Sequence, residues 1–143
     1  MEMLTRLLPE TLVIDHSEID AQHERIFTNI ESLKIACVDG GNPGFEVFDD
    51  LLAYLGHHFA TEERVAQQAG LEFSAHAKLH RDSLYMLNRA FGEVRRGASD
   101  VHSFLRFIEY WFERHILAED KPFGTRLKKN CPDRSGDMLQ QNI

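Results

Sequence analysis

Apolar residues recur at helical spacing in four stretches of the chain, and strand-type alternation is absent. The first stretch carries Ile19, Ile26, Ile30, Leu33 and Cys37, and the second Phe48, Leu51, Leu52, Leu55, Phe59 and Ala66. The third carries Leu84, Leu87, Phe91 and Val94, and the fourth Val101, Phe104, Leu105, Ile108, Trp111 and Phe112. Each set forms one apolar face of a helix.

Turn and cap residues set the expected bounds. Ser17, three residues before Asp20, predicts the N-cap of a first helix that stops near Asp39, before Gly40-Gly41. Asn42-Pro43 predicts a second helix with proline at its first position, running to Ala69 and closed by Gly70. Ser74 predicts the cap of a third helix ending in Arg95-Arg96-Gly97, where cations suit the negative end of the helix dipole. Ser99-Asp100 predicts the cap of a fourth. Pro122 should stop that helix by removing a donor and clashing with the preceding turn. A short fifth piece is expected around 124–129. Four such helices joined by short loops predict an all-α, antiparallel up-down-up-down four-helix bundle. The expected organisation is one domain over 1–143: an extended arm over 1–16, the bundle over 17–121, and a short helix with a polar tail over 122–143.

The apolar faces are interrupted at one level. His23 fills the gap between Ile19 and Ile26, and His58 and Glu62 follow Leu55. His76 and His80 begin the third stripe, and His115 follows Phe112 with Asp120 beyond it. In an up-down bundle the start of helices one and three lies beside the end of helices two and four. All seven side chains therefore fall towards one end of the interior. Seven unpaired polar groups there would each cost at least a few kcal/mol, against a total stability of about 5–15 kcal/mol. Metal coordination removes that cost.

The spacings serve chelation. His58-x-x-x-Glu62 and His76-x-x-x-His80 place pairs about 5–6 Å apart on one helix face. His115 and Asp120 stand roughly 140° apart on an ideal helix and converge only if the helix loosens, for which Pro122 offers a reason. Seven ligands exceed the four of a tetrahedral zinc and fit two metals bridged by carboxylates. Imidazole suits iron, zinc, copper and nickel alike, so the ligand types leave the metal open.

Composition narrows the classes. Sixteen Lys and Arg against 23 Asp and Glu give a net charge of -7, which argues against nucleic-acid binding. No apolar run reaches the ~18 residues of a membrane span, and the first residues show no charged-then-apolar leader pattern, so a cytoplasmic location is expected. Cys37 and Cys131 form no C-x-x-C pair and read as free thiols. Of the eight histidines, His16 and His102 fall near helix starts and read as solvated. His57 is out of phase with Leu51 and Leu55, and only His58 stands four before Glu62.

The segments Ile19-Asp20-Ala21-Gln22-His23, His58-Phe59-Ala60-Thr61-Glu62-Glu63, His76-Ala77-Lys78-Leu79-His80 and His115-Ile116 through Asp120-Lys121 resemble the hemerythrins, in particular the single-domain bacterial type. Order, spacing and ligand type all match, and the likeness runs over about 14–123. The resemblance implies two iron ions and a bridging oxo or hydroxo group. It assigns one iron to His76, His80 and His115, the other to His23 and His58, and the bridges to Glu62 and Asp120. One coordination position then stays open, on the iron with two histidines, where the family binds O2. Ile26, Phe59 and Phe112 are expected to line it. Trp111-Phe112 stands where these bacterial proteins often have Trp-Leu, which implies a narrower pocket. The implied function is reversible O2 binding for storage, delivery or scavenging, by a binding protein rather than an enzyme. The alternatives are an O2 or redox sensor acting through a partner protein, and a di-iron oxidase or peroxidase.

Overall fold

A computed structural model describes residues 8–38 and 43–130. Four long helices dominate: α1 (Ser17–Val38), α2 (Phe45–Gln68), α3 (Ser74–Arg95) and α4 (Val101–His115). A π-helical turn over Ile116–Asp120 leads directly into α5 (Lys121–Asn130). Among the described residues there is no strand. Each long helix packs against its neighbours in the chain, and α4 closes back on α1, giving the expected all-α bundle. No described helix is long and apolar enough to cross a membrane. The expected stop at Asp39, the Asn42 cap, Cys131 and the polar tail lie outside the described residues.

The apolar stripes face inward. Ile19, Ile26, Ile30, Phe48, Leu55, Leu87, Leu105, Ile108 and Phe112 are fully buried, and each such side chain contributes about 1.5–3 kcal/mol by leaving water. At the end remote from the polar level, Phe48 stacks on Phe91 at 5.1 Å, and Phe104 lies 5.3 Å from Phe91. These three rings close that end with carbon. Cys37 packs against this core as a partly buried side chain.

Several helix ends differ from the sequence expectation. Ser17 is the first residue of α1 and not its cap, because the Nδ1 of His16 accepts the Ile19 N–H at 3.3 Å. Pro43 lies outside α2, which starts at Phe45 after Gly44. Ser74 is already helical, and Glu72 accepts its backbone N–H at 2.8 Å. Its hydroxyl also donates to Glu72, so it caps no amide of α3. Gly70 and Gly97 follow α2 and α3 with φ of 70° and 78°, as closing glycines should, and Asp100 caps α4 by accepting the Ser103 N–H at 2.8 Å.

Two further corrections bear on the site. Pro122 does not stop the helix. It sits in the first turn of α5, and the wider π turn before it spares the α-helical bond that proline cannot make. The stretch before α1 is not simply extended. It makes a single 3-10 turn over Glu10–Leu12, and Leu8, Leu12 and Ile14 are buried. Asp15 then turns the chain at φ 66°. Asp20 accepts the N–H groups of Ile14 at 2.9 Å and His16 at 3.2 Å, tying the arm to α1. Lys121 donates to the Thr11 carbonyl at 2.8 Å and Lys128 to Asp15 at 2.6 Å, tying it to α5.

Candidate metal centre

The bundle brings all seven polar core residues together. His23 comes from early α1, His58 and Glu62 from late α2, His76 and His80 from early α3, His115 from the end of α4, and Asp120 from the π turn. This meeting of early and late positions is what alternating helix directions require. The π turn solves the spacing between His115 and Asp120. Its extra residue per turn rotates Asp120 inward, to 3.4 Å between His115 Nε2 and Asp120 Oδ1.

The two carboxylates divide the histidines into sets. Glu62 Oε2 lies 3.1 Å from His58 Nε2 and 3.4 Å from His23 Nε2, and Asp120 Oδ2 lies 3.1 Å from His23 Nε2. The opposite oxygens face the other three rings. Glu62 Oε1 is 3.3 Å from His80 Nε2 and 3.5 Å from His76 Nε2, and Asp120 Oδ1 is 3.2 Å from His76 Nε2. Two donor groups result, Glu62-His76-His80-His115-Asp120 and His23-His58-Glu62-Asp120. The ligand atoms of each lie within 4.8 Å of one another. Both carboxylates belong to both groups.

These contacts are close but are not hydrogen bonds. Among the described residues, ten buried polar atoms, all on these seven side chains, have no hydrogen-bond partner. His23, His58, Glu62 and Asp120 are completely inaccessible. Leaving so many orphaned atoms would strain the stability of a small domain. Nitrogen and carboxylate donors gathered this way are the normal environment of a transition metal, and a bound metal would supply the missing partner. The residues therefore fit a metal site on their own geometry.

Electrostatics in the metal-free chain follow from the same packing. Burial and the Asp120 charge push the Glu62 pKa up, but contacts with His23, His58 and His80 outweigh them and hold it at about 2. Burial likewise opposes ionisation of Asp120, yet His115, His23 and His76 hold it well below the ordinary carboxylate value. Burial pulls His23 down, and Asp120 with Glu62 reverses this to about 9. His115 is similarly pulled down by burial and raised on balance to about 10, chiefly by Asp120. For His80 burial prevails over Glu62, and its pKa falls. Without metal, protons do part of the work of cations.

Aromatic rings hold the three-histidine side. Phe59 stacks on His80 at 3.8 Å, Phe73 on His76 at 4.3 Å and Trp111 on His115 at 5.2 Å. Phe59, expected beside the two-histidine group, thus has its closest histidine contact with His80. Phe112 stands edge-on to His23 at 5.3 Å and lies 6.1 Å from His58, with Phe27 5.1 Å behind it. Ile26 is fully buried in the same helix as His23. His57 and Glu63 are exposed, and His102 is exposed at the start of α4.

Behind these side chains stand polar groups to which the apolar stripes assign no role. His58 Nδ1 lies 2.8 Å from Gln22 Oε1, and Gln22 Nε2 donates to Thr61 Oγ1 at 3.1 Å. His115 Nδ1 lies 3.2 Å from a Glu119 oxygen. A polar residue next to a ligand on an otherwise apolar face was the available signal for Gln22 and Thr61. For Phe73, in the loop before α3, periodicity offers no signal.

Residues 15–127 match the hemerythrin HHE cation binding domain. The chain is 34% identical over 126 residues to a bacteriohemerythrin of Pseudomonas aeruginosa (strain LESB58), covering 85% of this chain and 81% of that one. It is 30% identical over 118 residues to a bacteriohemerythrin of Stenotrophomonas maltophilia, covering 77% and 73%. A bacteriohemerythrin of Methylococcus capsulatus is 28% identical over 108 residues, covering 73% and 82%. No solved structure matches the chain significantly.

Proposed function

Because this chain belongs to the hemerythrin HHE cation-binding family, we propose that it binds O2 reversibly at a di-iron centre, for storage, delivery or scavenging. His76, His80 and His115 would hold one iron and His23 and His58 the other, with Glu62, Asp120 and an oxo or hydroxo group bridging them. When bound, the iron pair supplies the electrons on which O2 binding draws.

The observation that carries this reading is the inequality of the two donor groups, one with three histidines and one with two, sharing both carboxylates. A symmetric pair would give no reason for a small molecule to prefer either side. Here the side with fewer protein donors leaves room for one. The chain's own contribution is shielding and orientation. Phe112, edge-on to His23, and Phe27 behind it surround the smaller group with carbon. Together with Ile26 they keep water away, which slows irreversible oxidation. The stacked rings of Phe59, Phe73 and Trp111 hold the histidines of the larger group in place.

The test is spectroscopic. Protein loaded with ferrous iron under anaerobic conditions should be colourless. Air should bring up visible charge-transfer bands that disappear on deoxygenation, over repeated cycles. Rapid irreversible oxidation without those bands would contradict reversible binding and favour sensing or catalytic turnover.

A further inference from the structure

Behind the two-histidine group runs a closed chain of hydrogen bonds in which each link constrains the next. The Thr61 hydroxyl donates to the His57 carbonyl, one helical turn back, at 3.3 Å. Its single hydrogen is then committed, so towards Gln22 it can only accept. Gln22 must therefore turn its amide nitrogen to Thr61, at 3.1 Å, and its amide oxygen to His58 Nδ1, at 2.8 Å. An oxygen accepts only. His58 is left with its hydrogen on Nδ1 and a free lone pair on Nε2, the atom 3.1 Å from Glu62. If the amide were reversed, its N–H would demand a lone pair on Nδ1. The hydrogen would then sit on Nε2 and block it as a ligand.

We propose that Gln22 and Thr61 are positioning residues that select the metal-binding tautomer of His58, with Thr61 deciding the sense of the chain. This inference rests on the reading of His58 as a metal ligand. The partners are well placed for the task. Gln22, Thr61 and His58 are all buried, so water does not compete for the same bonds. The chain also links α1 to α2, since Gln22 and Thr61 stand 39 residues apart in sequence. His23, the other histidine of this group, has no such support: its Nδ1 is buried without a partner. Orientation of the smaller group thus depends on His58 more than on His23.

The test uses the metal-free full chain titrated with Zn2+, a redox-inert probe, against a competing chelator. Wild type should take up two equivalents, and long-range 1H–15N correlation of the loaded protein should show hydrogen on Nδ1 of His58. Thr61→Val keeps the side-chain shape and removes the hydroxyl; it should weaken the second equivalent about ten- to a hundredfold and leave the first unchanged. Thr61→Ser keeps the hydroxyl and loses a methyl group; it should bind both equivalents as wild type does. In a Gln22→Glu background both terminal atoms accept, so adding Thr61→Val should cause no further loss. Equal loss from the Val and Ser variants would show that Thr61 serves packing alone, and overturn the proposal. So would an unchanged second equivalent in Thr61→Val. Uptake of a single equivalent by wild type would overturn the dinuclear reading itself, and with it this inference.

Discussion

Phe59 lies flat on His80, with ring centroids 3.8 Å apart and planes 5° from parallel. Both residues are buried, on adjacent helices α2 and α3. A stacked pair of this kind contributes about 0.5–1.5 kcal/mol beyond the area it buries. Phe59→Leu should therefore lower the unfolding free energy of the metal-free chain by about 1 kcal/mol or more, read by urea denaturation. It should also weaken the metal held by the three-histidine group, because His80 gains freedom to turn. Unchanged stability and unchanged binding of the first metal equivalent would show that the stacking holds nothing in place.

A second test concerns how the arm is held. A Cβ on Gly124 would stand 2.8 Å from the backbone oxygen of Ile14, too close for either backbone to yield cheaply. Alanine is the better helix former by about 1 kcal/mol, but the clash should cost about 1–3 kcal/mol and win. Gly124→Ala is expected to destabilise the protein. Gly92→Ala is the control, since its Cβ would meet nothing closer than an arginine nitrogen at 3.7 Å; it should stabilise by about 0.5–1 kcal/mol. Thermal unfolding of both variants decides the matter, and a stabilised Gly124→Ala would mean that the arm does not press on α5.

Protons and metal compete for the same side chains. In the metal-free chain His23 and His115 have pKa values of about 9 and 10, so both are protonated at neutral pH. Metal uptake at pH 7 should release about two protons from them, measurable by calorimetry in buffers of different ionisation heat. The pH dependence of the two forms should then differ. Raised pKa values stabilise the metal-free fold fully below about 6.5, and that contribution is lost as pH rises through 9 to 10. The melting temperature of the metal-free chain should fall over this range. The gain in melting temperature on adding metal should grow over the same range, because deprotonated imidazoles bind more tightly. Parallel curves for the two forms would contradict a shared set of ligands.

His57 and His58 are neighbours in sequence with opposite fates. His58 is fully buried beside Glu62, whereas His57 is exposed and offers only its backbone carbonyl to Thr61. His58→Ala should reduce the metal content from about two ions per chain towards one, while His57→Ala retains both, since its carbonyl survives the substitution. Equal losses by metal analysis would mean that the wrong imidazole has been placed in the centre.

Much of this was legible in the sequence because buried polar side chains interrupt apolar stripes at the positions where the core should continue. His23 between Ile19 and Ile26, and His58 and Glu62 after Leu55, are visible to periodicity alone. The π turn was also foreshadowed: a five-residue interval between His115 and Asp120 cannot converge on an α-helix, and Pro122 supplies a local cause. What periodicity lacks is the fine rotation of each helix and the path of irregular chain. It did not foresee that Phe59, 5.8 Å from His58, lies flat on His80. It took Ser17 and Ser74 as caps, although His16 takes the Ile19 amide and the Ser74 hydroxyl is turned to Glu72. It could not see that the arm buries Leu8, Leu12 and Ile14 against the bundle, nor that Gln22 reaches from α1 to serve His58 on α2. Each of these depends on the meeting of two elements distant in sequence.

The central claim is that one end of this bundle holds two metal ions sharing Glu62 and Asp120. Anomalous diffraction at the iron edge, on crystals of the iron-loaded protein, tests it most directly. Two peaks are expected, one among His76, His80 and His115 and one beside His23 and His58, with both carboxylates between them. A single peak, or iron elsewhere in the bundle with these histidines turned apart, would contradict the account.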